Sequence, residues 1–518
     1  MVFRFLFVAA MALTAPPLAA AGMEGEVSMF GGQGIPSGQL AELRRVSVVP
    51  AVKQFLAALS TQLAVELCGL PAGLRAQHLE QGLDISAWAG GKFMRMEYLS
   101  GLPVSMVLTL VAQLATYRYC WARTAAPAET AAASTATRVP SAAAVGHSQG
   151  MAAAMVVALS TDVNTFTAHA WTFVRTLLHF GLAAAEHLRL LVPAEAGEPP
   201  AGPRAGDCAL ALLKVPVPEV RALAAAYNNL AAATASPAAV GPAAAVVVAV
   251  ENGAEACLIS GEWSIGQVPT TQSVLLNPPM RPATTGLPST LVAFRAHVQR
   301  WAAGCGRPLK VHSLPVRAPF HCRGLLASTA AACADRLGKP VGSECLVRPL
   351  WSCVDGRRLD GASGAISGES LQAFLLEALA SKPVDWPATL RAVARFEGGC
   401  PQGDCWAVDY GPGGGSLVAR ISAVVVKEHD GSGPLGGLKV EYFTQRHCSP
   451  GPLPASWLAW LKAPEAGGAG AGAEPAVEPA GPGGAVRSAI AGAVHSPATK
   501  GRRGFSWFSD RLKSASAG

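Results

Sequence analysis

The feature that most constrains this fold is the pentapeptide Gly146-His147-Ser148-Gln149-Gly150, which stands between a small apolar run and an Ala-rich helical pattern. Its spacing is that of the G-x-S-x-G nucleophile elbow, in which a buried strand turns sharply into a helix and presents a serine. The two glycines leave room for so tight a turn. The helix that follows would direct its free N–H groups toward negative charge at the Ser148 hydroxyl. An ordinary strand-to-helix turn is the alternative interpretation.

Length, charge and cysteine spacing limit the number of domains and the kinds of partner that this chain can have. The chain has 518 residues and a net charge of +7, which is long enough for one large domain with an insert or for two domains. Part of the positive excess lies close to the C-terminus, so we expect a solvated basic surface and no nucleic-acid partner. The 12 cysteines form no C-x-x-C pair, which predicts neither a metal site nor a disulfide framework.

Both ends of the chain differ from the rest. Residues 1–22 combine Arg4 with an apolar run and small residues, as in a secretory signal or the first half of a bipartite organelle signal; a true start at Met23 is a third interpretation. The segment is too short and too Pro-interrupted for a membrane span, so no membrane partner is expected. Localisation stays open between the cytoplasm and a plastid-like organelle. Residues 463–518 are predicted to be a disordered low-complexity and basic tail.

Between these ends, strand-like apolar runs alternate with helical patterns, which predicts an α/β fold with a hydrolase-like parallel sheet as its core. In the middle of the chain, the order strand, helix, strand, strand predicts a small ferredoxin-like (βαββ) subdomain. We assign residues 206–287 to this insert and residues 23–205 and 288–445 to the large α/β subdomain that surrounds it.

A serine needs a neighbouring base to become a nucleophile at neutral pH. Of the 11 histidines, His321 is the best placed, because it lies where a strand ends and a helix begins. Two strand-to-helix turns can face each other at the carboxyl edge of one sheet, so Ser148 and His321 are the candidate catalytic pair. Histidines on helical patterns are interpreted as surface or core groups: His169, His179, His187 and His297.

Four motifs in a fixed order resemble those of a known family. They are Phe30-Gly31-Gly32-Gln33-Gly34, the elbow at 146–150, Pro319-Phe320-His321 and the Gly-rich stretch at 409–415. Together they resemble the malonyl-CoA:ACP transacylases. Within that family the chain is most similar to the acetyltransferase domain of fungal-type fatty acid synthase β subunits and to starter-unit acyltransferases of iterative polyketide synthases. The resemblance extends over residues 27–443.

The resemblance implies an activity and its partners. Ser148 would take an acyl group from acyl-CoA, and His321 would activate first this serine and then the thiol of the acceptor. The acceptor would be an acyl carrier protein or carrier domain, which brings its own phosphopantetheine, and no tightly bound cofactor is implied. The product would enter fatty acid or polyketide synthesis.

The resemblance also implies which groups stabilise the thioester carbonyl of the substrate and which group orients the histidine. Backbone N–H groups of Gln33 and Gln149 would form the oxyanion hole, and Gly31 and Gly32 would let the backbone approach the substrate. The family orients its histidine through a backbone carbonyl, and we expect this carbonyl in the loop Gly411-Pro412-Gly413.

Substrate choice depends on one further position. Malonyl-transferring members carry an arginine one helix after the elbow, and alignment places Phe180 there. Arg175 lies roughly 140° away around the same helix. An apolar pocket favours acetyl or another uncharged acyl group, although malonyl stays possible, and a purely structural core role for Phe180 is the other interpretation.

Two other functions are compatible with the elbow. A serine hydrolase or thioesterase would share the G-x-S-x-G motif, but those enzymes place an acid between serine and a late histidine and carry an HGGG-like motif, and neither is found here. A non-catalytic scaffold is disfavoured because both Ser148 and His321 are present.

Since the sequence contains no dehydratase or enoyl reductase domain, a free-standing transferase and a fragment of a larger synthase are both possible.

Overall fold

The computed structural model describes residues 26–124, 139–191, 208–234, 244–263, 287–314, 316–322, 326–334, 337, 340–360, 370–396, 405–411, 417–428 and 438–442. All of these belong to the first of two compact units, residues 1–447, and the second unit is 448–518. The predicted leader at 1–22 and the predicted tail at 463–518 lie outside the described residues.

The described residues form strands and helices in alternation. The strands are β1 (Glu26–Phe30), β2 (Ala143–Gly146), β3 (Ala209–Leu213), β4 (Ala244–Gly253), β5 (Ala256–Trp263), β6 (Lys310–Leu314), β7 (Leu350–Trp351), β8 (Val384–Asp385), β9 (Cys405–Asp409) and β10 (Leu438–Tyr442). The helices are α1 (Pro36–Val46), α2 (Pro50–Gly69), α3 (Ala72–His78), α4 (Ile85–Ala89), α5 (Met96–Leu99), α6 (Leu102–Thr124), α7 (Gly150–Leu159), α8 (Val163–Leu191), α9 (Val217–Thr234), α10 (Leu287–Gly304), α11 (Ala327–Ala334), α12 (Leu371–Ser381), α13 (Trp386–Ala394) and α14 (Leu417–Glu428).

The first sheet is parallel throughout, with the strand order β10-β9-β1-β2-β7. Its central strands β1 and β2 are buried along their whole length, as expected for a parallel sheet covered on both faces. Every residue of α7 is buried, because this helix packs against β1 and β2 on one side and against α6 and α8 on the other. The predicted α/β fold with a parallel core is confirmed.

The second sheet is the insert, with the order β6-β3-β5-β4-β8. Strands β6, β3, β5 and β4 pair antiparallel, while β8 joins β4 in parallel. Helices α9 and α10 cover one face through an apolar cluster that includes Leu210, Val220, Phe294 and Val298. The strand order and the chain order β3-α9-β4-β5-α10-β6 together make a complete ferredoxin-like unit.

The predicted boundary of the insert at residue 287 is therefore wrong. Helix α10 and strand β6 complete the unit, since Ala209 of β3 pairs with Leu314 and Leu213 pairs with Lys310. The physical reason is that β3 would otherwise present an open edge, and β6 supplies its second partner. A sequence interval without strong patterning separates β5 from α10, and such an interval favours a boundary at this point of the chain.

The entry to the elbow is held by Arg348, which is 9% exposed. Its guanidinium donates to the carbonyl oxygens of Ser141 (2.7 Å), Val139 (2.8 Å), Val157 (3.3 Å) and Ser160. Two of these carbonyls precede β2 and two lie at the end of α7. One side chain thus joins the start of the elbow strand to the end of the elbow helix.

Among the described helices, none is long and apolar enough to cross a lipid bilayer.

We expect the substitution Arg348→Met to lower the free energy of unfolding by about 3 kcal/mol, because buried carbonyl groups would lose charged donors. Urea unfolding followed by circular dichroism measures this loss. The matched control is Arg95→Met, since Arg95 pairs with Glu80 at the surface and should change stability by less than about 1 kcal/mol. Equal effects of the two substitutions would contradict the role given to Arg348.

Candidate active site

The candidate nucleophile lies at the junction that the sequence predicts. Strand β2 ends at Gly146 and α7 begins at Gly150, so the chain reverses direction within three residues. The turn is closed by His147 N–H, which donates to Phe30 O at 2.8 Å, and by Gly150 N–H, which donates to His147 O at 2.9 Å. Ser148 has a φ of 53°, in the left-handed region that a residue with a side chain rarely adopts.

Both glycines of the elbow are required by close approach of the backbone. A Cβ on Gly146 would overlap the backbone of Gly150, and a Cβ on Gly150 would overlap the carbonyl oxygens of Phe30 and Gly31. The elbow helix therefore packs in direct backbone contact with the end of β1 and with the loop that follows it. This contact is what brings the loop after β1 next to Ser148.

The structure brings Ser148 and His321 together, although they are 173 residues apart in sequence. The Ser148 Oγ and His321 Nε2 atoms are 2.6 Å apart, and His321 is 4% exposed. His321 also adopts a left-handed backbone, with a φ of 61°, and its N–H donates to Leu379 O at 2.8 Å. Both members of the pair thus sit on strained turns, which are enriched at functional sites.

The second ring nitrogen of His321 is held by helix α12. Nδ1 lies 2.9 Å from Ala378 O and 3.0 Å from Lys382 O. Because carbonyl oxygens only accept, Nδ1 carries the proton and Nε2 presents its lone pair to the Ser148 hydroxyl. This tautomer allows His321 to take the proton of Ser148.

The expected position of the orienting carbonyl, in the loop Gly411-Pro412-Gly413, is wrong. Gly411 has a φ of 70° and its N–H donates to Asp409 Oδ1 at 2.9 Å, whereas Pro412 and Gly413 lie outside the described residues. The last turn of a helix has carbonyls without intrahelical partners, and α12 ends beside His321. Pro383, directly after Lys382, is the sequence signal that could have located this helix end.

Burial sets the charge state of the two histidines in the site. Burial lowers the pKa of His321 to about 4, although its hydrogen bonds to Lys382 and Ala378 act to raise it. Burial likewise lowers the pKa of His147 to about 4, against the raising effect of its hydrogen bond to Asn252. Both imidazoles are therefore neutral at neutral pH, as a proton acceptor must be.

His147 connects the elbow to the insert, a contact that no local sequence pattern indicates. Its Nε2 lies 2.9 Å from Asn252 Oδ1 at the end of β4, and its ring packs edge-on against Trp386 at a centroid distance of 5.1 Å. Asn252 is buried. The ferredoxin-like unit thus touches the residue next to the candidate nucleophile.

The loop after β1 lies beside Ser148. A Cβ placed on Gly32 would lie 3.3 Å from Ser148 Cβ, so a side chain at this position would press on the serine. The two glutamines of the predicted oxyanion site are tied to helix α6. Gln33 Nε2 donates to Ser105 Oγ at 2.7 Å, and Gln149 Nε2 donates to Met106 O at 2.6 Å.

Cys353 is a second potential nucleophile next to Ser148, since the backbone N–H of Ser148 interacts with its thiol. Burial raises the pKa of the Cys353 thiol to about 12, so the thiol stays protonated. A protonated, buried thiol is a poor nucleophile, which leaves Ser148 as the reactive group. Among the described residues, no group of three or more His, Cys, Asp or Glu side chains could hold a metal ion.

Phe180 is fully buried on α8, and its ring centroid lies 6.3 Å from that of Phe320, the residue before His321. Arg175 faces another partner, because its Nε lies 3.2 Å from Glu66 Oε1 on α2. His179 Nε2 lies 2.6 Å from the same oxygen. Burial raises the pKa of Glu66, but His179 and Arg175 outweigh it and the net pKa is lowered, so Glu66 is a carboxylate that holds Arg175 in place.

Comparison with protein families gives one match. Residues 28–262 match the family model described as starter unit:ACP transacylase in aflatoxin biosynthesis. This segment contains Gln33, Ser148 and Phe180 and ends before His321. The match confirms the resemblance that the motifs predicted. Comparison with curated proteins found no match.

Solved structures of similar proteins are remote in sequence. FabD from Acinetobacter baumannii is 17% identical, over 82% of this chain and 95% of that chain, with a TM-score of 0.47. The malonyl CoA-acyl carrier protein transacylase from Coxiella burnetii is 18% identical, over 82% and 95%, with a TM-score of 0.48. An acyl-carrier-protein S-malonyltransferase from Burkholderia pseudomallei is 19% identical, over 84% and 99%, with a TM-score of 0.47.

We expect covalent labelling of Ser148 by a fluorophosphonate reagent to keep its rate as the pH falls from 8 to about 5, and to reach half of that rate near pH 4, the lowered pKa of His321. The measurement is the labelling rate by intact mass, with Ser148→Ala as background. A midpoint near 6.5 would contradict the buried, neutral base.

The folding stability of the protein sets the lowest pH at which the labelling rate can be measured. Because the folded pKa values of His147 and His321 lie below the ordinary value of 6.5, the unfolded chain binds more protons, and stability falls as the pH drops from 6.5 toward 4. Circular dichroism at each pH separates loss of labelling from loss of fold.

Proposed function

Because residues 28–262 match the starter unit:acyl carrier protein transacylase family, we propose that this protein transfers an acyl group from CoA to the phosphopantetheine thiol of an acyl carrier protein. The observation that carries the proposal is the 2.6 Å contact between Ser148 Oγ and His321 Nε2 beside the loop after β1. No tightly bound cofactor takes part. The acyl product would be used in fatty acid or polyketide synthesis.

In the first half-reaction, His321 Nε2 takes the hydroxyl proton while Ser148 Oγ attacks the thioester carbonyl of acyl-CoA. The carbonyl oxygen becomes negative, and the backbone N–H groups of Gln33 and Gln149 would donate hydrogen bonds to it. Collapse of the tetrahedral intermediate breaks the C–S bond. The leaving CoA sulfur takes the proton from His321, and Ser148 keeps the acyl group as an ester.

In the second half-reaction, His321 takes the proton of the carrier's thiol, and the sulfur attacks the Ser148 ester. The C–O bond breaks and Ser148 Oγ recovers its proton from His321. In both halves the imidazole is transiently positive, and the carbonyls of Ala378 and Lys382 then face a cationic ring. These two carbonyls fill the place that a carboxylate takes in a Ser-His-Asp triad.

The acyl group would be acetyl or another uncharged starter. Phe180 is fully buried beside Phe320, where a free carboxylate would lose its hydration. Arg175, on the same helix, is held by Glu66 rather than available to a carboxylate. The same dyad can serve a hydrolase or thioesterase, in which water replaces the carrier's thiol.

We expect intact-mass analysis after mixing with acetyl-CoA to show an acetyl adduct that is absent in Ser148→Ala. Adding a holo acyl carrier protein should remove the adduct and give the acetylated carrier. Absence of an adduct with every short-chain acyl-CoA would contradict the transferase proposal. Loss of the adduct to water as quickly as to the carrier would favour a thioesterase.

We expect the wild-type protein to prefer acetyl-CoA over malonyl-CoA, and Phe180→Arg to shift the ratio of kcat/KM toward malonyl-CoA by at least about tenfold, because a bidentate arginine can pair with the malonyl carboxylate. Phe180→Leu is the control, since it changes packing without adding charge. Equal use of the two donors by the wild-type protein would contradict an apolar pocket.

A further inference from the structure

Helix α6 carries a row of polar side chains that are buried in the protein. Ser105, Thr109 and Gln113 follow one another at intervals of four residues, so they lie on one side of the helix. Each is at most 1% exposed. Burying three uncharged polar side chains costs folding free energy unless they are hydrogen-bonded. Their hydrogen-bond partners therefore indicate what the row stabilises.

The two ends of this row bind the loop after β1. Gln113 Nε2 donates to the carbonyl oxygen of Gly31 at 2.5 Å. Ser105 Oγ accepts from Gln33 Nε2 at 2.7 Å and itself donates to Leu102 O at 3.2 Å. The loop that leads to the proposed oxyanion donor is therefore held to one rigid helix at Gly31 and again at Gln33.

The middle of the row binds elsewhere. Thr109 Oγ1 accepts from Gln39 Nε2 at 2.6 Å, which joins α6 to α1 outside the loop. Gln39 and Gln113 are alike in burial, in making one amide hydrogen bond and in having a side-chain oxygen without a hydrogen-bond partner. Gln39 is thus a matched comparison for Gln113, because its amide has the same chemistry but donates to Thr109 rather than to Gly31.

The second proposed oxyanion residue is tied to the same helix. Gln149 Nε2 donates to Met106 O at 2.6 Å, one residue from Ser105. Helix α6 therefore anchors both Gln33 and Gln149 through their side chains.

Anchoring at Gly31 matters because this residue and Gly32 have no side chains to restrict their backbone. In a trans peptide the C=O and the following N–H point in opposite directions. Fixing the Gly31 carbonyl toward α6 therefore fixes the Gly32 N–H away from α6 and restricts the backbone leading into Gln33. Oxyanion donors act through preorganisation, so a loop that must be ordered during the reaction would lose rate.

We propose that Gln113 is a positioning residue that preorganises the oxyanion loop through the Gly31 carbonyl. The inference rests on the proposed function, because it assumes that the backbone of Gln33 faces a reacting carbonyl. Gln113 acts through Gly31, whose carbonyl oxygen accepts its side-chain hydrogen bond. Its removal should change the rate of the chemical step and leave the affinity for acyl-CoA intact.

The test compares Gln113→Met with Gln39→Met in the full chain, both near-isosteric changes that delete one buried amide. Single-turnover acetylation of Ser148 is followed by intact mass over a range of acetyl-CoA concentrations. Gln113→Met should lower the maximal rate about ten- to a hundredfold with an unchanged half-saturating concentration, as for a small misplacement of a catalytic group. Gln39→Met should stay within about twofold of wild type while losing similar thermal stability.

A second variant keeps the inference testable if Gln113→Met does not fold. Ser105→Ala removes the anchor at Gln33 with a minimal change of volume, and it should lower the same maximal rate to a smaller extent. A wild-type chain that forms no acyl adduct would overturn the proposed function itself. A wild-type chain that acylates normally, together with an unchanged rate in Gln113→Met or an equal loss in Gln39→Met, would overturn only the role of Gln113.

Discussion

The hydrogen bond between Ser148 and His321 is the constraint on which the rest of this structure depends. Each residue lies on a turn with positive φ, which costs of order 1–3 kcal/mol for a residue with a side chain, and each turn is held by backbone hydrogen bonds from other elements. Ser148 is held through Phe30 and the elbow helix, and His321 through Leu379 of α12. The short contact therefore exists only when the first sheet and α12 are both in place.

The same burial that orders the dyad also sets its chemistry. A histidine exposed to water would be partly charged near neutrality, whereas His321 is neutral down to about pH 4. Its orientation comes from two uncharged carbonyls, Ala378 O and Lys382 O, so no buried carboxylate is needed. A buried carboxylate would raise the histidine's pKa and add its own desolvation cost. The two neutral carbonyls orient the His321 ring and leave its basicity low. A low basicity suits a base that must pass the proton it has taken from Ser148 to the departing sulfur of CoA.

Local patterns in the sequence predicted the parts of this structure that are determined locally. The expectation that the two turns lie at the edge of one sheet is wrong, because Ser148 follows β2 of the parallel sheet whereas His321 follows β6 of the insert sheet. The elbow at Ser148, the Gly-rich loop after β1 and the strand end before His321 each follow from adjacent residues and were found. The contacts that depend on distant segments were not. The end of the insert depends on β6 pairing with β3, and the orienting carbonyls depend on where α12 stops. Phe180 could be placed on a helix, but only the structure shows Phe320 beside it and Glu66 holding Arg175.

The insert and helix α6 each hold one of the two residues that flank the nucleophile. Asn252 of β4 binds His147 Nε2, so the insert fixes the residue before the nucleophile. Helix α6 fixes the residue after it, through Gln149 and Met106, and also fixes the facing loop through Gln113 and Ser105. Ser148 itself needs freedom at its side chain, because its Oγ must move from the proton acceptor to the acyl carbon and back. A frame that holds both neighbours and leaves only the Ser148 hydroxyl to exchange partners meets that requirement. The positioning groups lie on two elements that the elbow motif alone does not reveal.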